Sequence, residues 1–286
     1  MARAIELAVW PGEAVVAVCL TFDVDAEAPW LAQSPAYARR LSTLSEGRYG
    51  VVRGLPRILE LLERHSARAT FYVPGATAER HPGCVRAIVA AGHEVGHHGH
   101  DHLRSHQIDA DAQRAELEAG LDALASVAGV APSGYRSPAW ELTPETFALL
   151  VEHGFAYDSS CMGDDRPYLE ELDGQTLLEL PVHWSLDDWP YYGWSVEAGG
   201  NLLPPSVWLE NWLAEFDSAV SERRLVTYTM HPEVIGRGYR FLALDRLISE
   251  IDRRSDVWFA TQAEVAAHAS AYSRTSSSAD LPPTST

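Results

Sequence analysis

Residues 14–22, AVVAVCLTF, form an unbroken apolar and β-branched run that gives way to Asp23-Val24-Asp25. A strand with one face in water alternates polar and apolar residues. A strand without alternation is covered on both faces, as in parallel sheets flanked by helical crossovers. The rest of the chain repeats that theme. Strands are expected at 69–73, 94–97, 134–136, 177–184, 225–230 and 257–260, and helices at 55–65, 84–91, 110–128, 144–153, 205–224 and 242–254. Leu55, Ile58, Leu59 and Leu62 share one helical face, and Gly92 stops the second helix. Trp208, Trp212, Phe216 and Ala219 recur at three or four residues, a stripe that serves either the core or a subunit contact. Seven or eight β–α units imply an α/β barrel of parallel strands, closed or nearly so. No linker interrupts them, so residues 1–272 read as one domain. The segment 164–174, DDRPYLEELDG, reads as an insertion or hairpin, and the Ser/Thr/Pro-rich tail 273–286 as disordered.

The balance of 22 basic against 40 acidic residues leaves a net charge of −18. Nucleic acid and anionic membrane, which need clustered Lys and Arg, are thereby excluded as main partners. Glu6, Pro11, Gly12 and Glu13 break any secretory signal core, and no run reaches the roughly 18 apolar residues of a membrane helix. Cys19, Cys84 and Cys161 are widely spaced, as buried thiols in a reducing compartment would be. A cytoplasmic location is expected.

Six of twelve histidines fall within HEVGHHGHDHLRSH: His93, His97, His98, His100, His102 and His106. Imidazole is the commonest metal ligand. His93-Glu94-Val95-Gly96-His97 is a literal H-E-x-x-H, the zinc-peptidase signature, but that motif works only on a helix. Here the helix has ended at Gly92, and Val95, Gly96 and Gly99 are poor helix residues. The alternative pair, His98 and His102, lies just past a strand, where α/β barrels place catalytic groups. Asp23 and Asp25, i and i+2 at another strand end, would both project into the barrel mouth. Asp25, His98 and His102 then make a one-carboxylate, two-histidine set that leaves a position open for water.

In order, Thr21-Phe22-Asp23-Val24-Asp25, His98-Gly99-His100-Asp101-His102, Arg136-Ser137-Pro138-Ala139, Leu186-Asp187-Asp188-Trp189 and Thr229-Met230-His231-Pro232 resemble the five motifs of the polysaccharide deacetylases, the NodB-homology carbohydrate esterases. The resemblance spans residues 15–267 and implies a distorted (β/α) barrel with seven or eight parallel strands. It implies a hydrolase of a non-peptide amide, removing acetyl from an N-acetylated sugar. Asp23 would be the general base, oriented by Arg136. Asp25, His98 and His102 would bind a divalent metal, Zn²⁺ foremost. His231 would be the general acid, held by a carboxylate of the fourth motif, Asp188 in preference to Asp187.

Two departures stand out: Val24 separates the usually adjacent aspartates, and Ala139-Trp140 replaces a usual Tyr. The branch sharing these features includes allantoinase-like and cyclic-imide hydrolases, which makes ring opening of a cyclic imide or ureide the rival activity. It also implies a homo-oligomer, such as a tetramer. Trp140, Trp184, Trp189, Tyr191, Tyr192 and Trp194 are candidates to line the pocket. Two other classes remain: a zinc peptidase through His93 and His97, and a non-catalytic metal- or carbohydrate-binding module.

Overall fold

The computed structural model describes residues 3–5, 10–196 and 199–279. Its strands are β1 (Arg3–Ala4), β2 (Val16–Asp23), β3 (Ala69–Val73), β4 (Glu94–His97), β5 (Gly134–Tyr135), β6 (Tyr157–Asp158), β7 (Tyr168–Leu172), β8 (Gln175–Glu179), β9 (Trp194–Ser195), β10 (Gly199–Gly200), β11 (Leu225–Met230) and β12 (Val257–Phe259). All but β9 and β10 belong to one sheet of order β1-β7-β8-β6-β5-β4-β3-β2-β11, with β12 also on β2. Pairing is parallel from β8 through β11 and at β12, and antiparallel only where β7 joins β1 and β8. The chain beyond β8 reaches back to form a single parallel bridge, Asp187 to Thr229. The curled sheet is therefore a barrel that nearly closes, with β7 and β8 forming the hairpin expected of 164–174.

The best-read strand organises the rest. Every residue of β2 is buried. Val16, Val18, Leu20 and Phe22 pack outward into the cluster that includes the helices Leu55–Arg64 and Gly238–Asp252. Ala17 and Cys19 face the barrel interior with Tyr72 and Tyr157. The two-residue period puts Thr21 and Asp23 on that same inner face. Small interior residues leave room for polar side chains behind the strand end.

The aromatic stripe of the helix Pro205–Glu222 belongs to the core: Trp208, Trp212, Phe216 and Ala219 are buried. Trp212 stacks on Tyr228 at 4.8 Å and its Nε1 donates to Ser185 O at 3.0 Å. Such a ring pair adds about 0.5–1.5 kcal/mol beyond its buried area.

Several stretches lie outside the sequence expectation, the helices Gly75–Arg80 and Pro232–Ile235 among them. Helices Ala28–Gln33 and Leu41–Tyr49 and a π-helical turn Gly50–Gly54 sit between β2 and the helix Leu55–Arg64. The last helix runs Gln262–Ala279, so the start of the tail expected to be disordered is helical, while 280–286 fall outside the described residues. Among the described residues no helix is long and apolar enough to cross a membrane.

Candidate active site

The carboxyl ends of the parallel strands converge on one pocket of about 220 Å³. It is lined by Asp23, Asp25, His98, His102, Asp187 and His231, with Trp140, Trp184 and Trp189 as its aromatic wall. Strand ends of β2, β4 and β11 thus supply most of the polar groups, at or just past the last strand residue, and Asp187 comes from the bridge to β11.

Arg136 fixes one side. It is fully buried just past β5, and its Nη1 donates to Asp23 Oδ1 at 2.7 Å and to Thr21 Oγ1 at 2.9 Å. Nε and Nη2 donate to the carbonyl and hydroxyl of Ser159, both at 3.0 Å. The guanidinium also lies over the Tyr72 ring at 4.2 Å. Gln262 Nε2 donates to Ser159 Oγ at 2.9 Å, tying this network to the start of the last helix. With four of its five N–H groups engaged, Arg136 holds Asp23 in one orientation.

His98, His102 and Asp25 offer three ligand atoms within 4.8 Å of one another. His98 Nε2 is 3.5 Å from Asp25 Oδ1, and His102 Nε2 is 3.3 Å from Asp25 Oδ2. His98 Nδ1 donates to Arg136 O at 2.7 Å, which fixes the tautomer and leaves Nε2 as a lone pair facing Asp25. Burial pushes the His98 pKa down against the pull of Asp23 and Asp25, favouring the neutral, ligating form. Burial alone would raise Asp25, but the neighbouring His102, His98 and His231 hold it well below the usual carboxylate range. Asp25 Oδ1 is buried without a hydrogen-bond partner among the described residues. An ionised carboxylate with an orphaned oxygen, facing two imidazoles, fits a divalent cation by its donor chemistry.

Opposite lies His231, in a turn after β11. Its Nδ1 donates to Asp188 Oδ1 at 2.7 Å and its backbone N–H donates to Asp188 Oδ2 at 3.0 Å. Nε2 therefore faces the pocket, 3.9 Å from Asp25 Oδ2. Burial disfavours the imidazolium, yet Asp188, Asp187 and Asp25 hold the His231 pKa well above its ordinary value. Asp188 sits behind His231, whereas Asp187 lines the pocket. Burial, with the Asp188 charge beside it, pushes Asp187 up to about 7.

The H-E-x-x-H stretch takes a different part. Glu94–His97 is strand β4, so His93 and His97 share no helical face. His97 Nε2 donates to Leu117 O at 3.0 Å while its Nδ1 accepts from Gly99 N at 3.1 Å. Glu94 accepts from Thr70, Tyr157 and the backbone of Ala263 at the opposite end of the strand. Of the six candidate aromatics, Trp140, Trp184 and Trp189 reach the pocket; Tyr191 and Tyr192 are core, and Trp194 is half-exposed beside it.

Sequence reading missed Ser159 and Gln262 beneath Arg136, and Arg104 and Gln33 at the pocket mouth. Ser159 and Gln262 follow strand ends, the one signal that could have found them. The site is also where the backbone is least relaxed. Ala26, His102, Ala139 and Trp140 all have positive φ, between 52° and 61°. Each costs a non-glycine residue about 1 kcal/mol, a cost typical of functional sites.

Comparison with known proteins bears on the family and the fold. The family model for polysaccharide deacetylase matches residues 16–157. A peptidoglycan deacetylase of Helicobacter pylori is 30% identical over 282 residues, covering 88% of this chain and 95% of that one. Among solved structures, a Mycobacterium smegmatis protein described as a polysaccharide deacetylase superposes with TM-score 0.90 at 41% identity, covering 95% of this chain and 96% of its own. An allantoinase shares the fold, with TM-score 0.80 at 24% identity and 91% of each chain covered. The chain belongs to the polysaccharide deacetylase family.

Proposed function

We propose that the protein hydrolyses the acetamide of an N-acetylated sugar, releasing acetate and the free amine. The observation that carries this reading is the bracketing of one pocket by Arg136-held Asp23 and the Asp25–His98–His102 group on one side and Asp188-held His231 on the other. Relatives named as peptidoglycan deacetylases point to the same amide chemistry.

Asp25, His98 and His102 are the residues that would hold a divalent ion, with Zn²⁺ the preferred metal for two imidazoles and a carboxylate. When bound, such an ion supplies Lewis acidity at the acyl oxygen. Asp23, oriented by Arg136, takes the proton of the attacking water. His231, aimed into the pocket by Asp188, donates a proton to the leaving nitrogen as the carbon–nitrogen bond breaks. Acid–base assistance of this kind is worth about 10²–10⁴-fold in rate. Trp140 and Trp184, stacked at 4.3 Å, present a flat wall for a sugar ring.

A cytoplasmic location is supported by three free cysteines, two of them buried. A homo-oligomer is supported by the apolar groove between the helices Pro205–Glu222 and Gly238–Asp252, where Leu242 and Tyr239 stay exposed. The deciding experiment presents Zn²⁺-loaded protein with N-acetylglucosamine oligomers and with cyclic imides, reading acetate release and ring opening together. Acetate release that is lost in Asp23→Asn upholds the reading. Ring opening without acetate release sinks it.

A further inference from the structure

The two imidazoles of the candidate metal site are held in unlike ways. His98 Nδ1 donates to Arg136 O at 2.7 Å, so its ring is fixed directly. His102 has no such anchor: among the described residues its backbone makes no hydrogen bond, and its φ of 61° lies in the left-handed region. A non-glycine residue keeps that conformation only where its surroundings over-determine it. The restraint lies just upstream. The helix Ala110–Ala128 turns Gln113, Glu116 and Gly120, on one helical face, toward the segment 98–108. Glu116 Oε2 accepts from the backbone N–H of His100 at 3.0 Å and of Asp101 at 2.9 Å. Gln113 Nε2 donates to the carbonyls of Ser105 at 3.0 Å and Ile108 at 3.2 Å. Gly120 permits the close approach, since a Cβ there would fall 2.7 Å from Gly99 O. From the other side, the N–H groups of Gly75 and Ala76 donate to the carbonyls of Gly99 and His100, both at 3.0 Å.

The peptide units 99–100 and 100–101 are therefore each pinned at both ends. Their carbonyls bind the start of the helix Gly75–Arg80, and their N–H groups bind one oxygen of Glu116. A peptide unit is rigid, so two fixed ends leave it one orientation, whereas a carbonyl held alone lets it rock. We propose that Glu116 is a positioning residue for metal binding. By accepting these two amides it holds the loop so that His102 Nε2 stays 3.3 Å from Asp25 Oδ2. Glu116 acts through His102 alone, since it neither lines the pocket nor belongs to the Asp25–His98–His102 group. Its acceptor oxygen is what matters, and its negative charge is not. The inference rests on the reading of Asp25, His98 and His102 as metal ligands and adds what keeps the last of them in place.

Reach and charge are separable. Glu116→Gln keeps an acceptor oxygen at the same reach without the charge, and Glu116→Asp keeps the charge one methylene short. Zn²⁺ is titrated calorimetrically into metal-free folded protein, wild type and both variants, with Glu116→Ala as a third. The expected Kd is close to wild type in Glu116→Gln and about 10–100-fold weaker in Glu116→Asp and Glu116→Ala, the range for losing a partner that orients a metal ligand. Urea titrations in chelator follow the metal-free fold. A merely structural side chain would lower that stability and leave the Kd of the folded protein unchanged. Should Glu116→Ala fail to fold, the contrast between Gln and Asp decides. Wild-type affinity in Glu116→Asp, or equal weakening in Glu116→Gln and Glu116→Asp, overturns the inference while the ligand assignment stands. A wild type that takes up no Zn²⁺, or uptake unchanged in both His98→Ala and His102→Ala, removes the ligand assignment itself and the role of Glu116 with it.

Discussion

At the scale of single residues, the site depends most on Arg136. A fully buried guanidinium is tolerable only because Asp23 neutralises it and three further acceptors satisfy its N–H groups. Lysine keeps the charge but presents a compact ammonium on a shorter reach, so Thr21, Asp23 and Ser159 cannot all be served. Arg136→Lys should lose about 3 kcal/mol of stability in urea titrations, near the lower end for breaking a buried ion pair. A loss under about 1 kcal/mol would show the pair to be ornamental. Ala139 makes the opposite case. Its φ of 55° places a methyl-bearing residue in the left-handed region, and glycine adopts that region freely. Ala139→Gly should therefore raise the unfolding free energy by about 0.5–1 kcal/mol, although glycine also gains entropy in the unfolded chain. Destabilisation by this substitution would show that packing of the Ala139 methyl outweighs backbone strain.

At the scale of elements, the buried pair that joins β6 to β8 carries its own pH dependence. Asp158 ends β6 and Glu179 ends β8, adjacent in the sheet. Burial pushes Asp158 up to about 6 and Glu179 well above its ordinary value, the two sharing a hydrogen bond. Carboxyls whose folded pKa is raised stabilise most below the unfolded values near 4, and that stabilisation is lost as pH rises through about 6. Glu179→Gln keeps an acceptor for the backbone of Ser160 and Cys161 and gives Asp158 a permanent donor. Its stability relative to wild type should be near zero at pH 4 and grow to the order of 2 kcal/mol by pH 8. A difference that stays flat with pH would mean that the pair holds no shared proton.

Elements with a strong apolar pattern were legible before any coordinates. The expected 69–73, 94–97, 110–128 and 225–230 match β3, β4, the helix Ala110–Ala128 and β11 residue for residue. The DDRPYLEELDG segment turned out to be the β7–β8 hairpin because Asp173 and Gly174 supply the positive φ of its turn. The helices between β2 and Leu55 were illegible for a physical reason. Their glycines argue locally against helix, yet tertiary contact demands them: a Cβ on Gly47 would fall 2.2 Å from Ala26 O, and one on Gly54 2.1 Å from Pro232 O. Two-residue strands such as β6 carry no period to read. In the site, the residue pattern pointed to Asp23, Asp25, His98 and His102, the family resemblance added Arg136, Asp188 and His231, and all seven meet at one place or directly beneath it. Arg104 and Gln262 carry no motif; only the fold brings them there.

At the scale of the whole molecule, the question is how a chain of charge −18 tolerates three of its carboxylates converging in one pocket. Asp23 has Arg136, and Asp187 is raised by burial and its acidic neighbours. Asp25 keeps one buried oxygen without a hydrogen-bond partner among the described residues, facing two imidazoles, a place that an external cation would fill. A divalent ion that binds the folded state alone stabilises it by mass action, about 2.7 kcal/mol when free metal is about 100 times Kd. The long-range field of the acidic surface adds to the attraction and weakens with salt. Adding Zn²⁺ to metal-free protein should therefore raise the thermal midpoint, chelator should reverse the rise, and the shift should diminish at high ionic strength. His98→Ala and Asp25→Asn should each abolish the shift. His93→Ala should leave it in place, because His93 belongs to the strand end packed on Phe71 and not to the pocket. A shift that survives in His98→Ala and disappears in His93→Ala would move the metal from the barrel mouth to the H-E-x-x-H strand and remove the basis for assigning Asp23 its role.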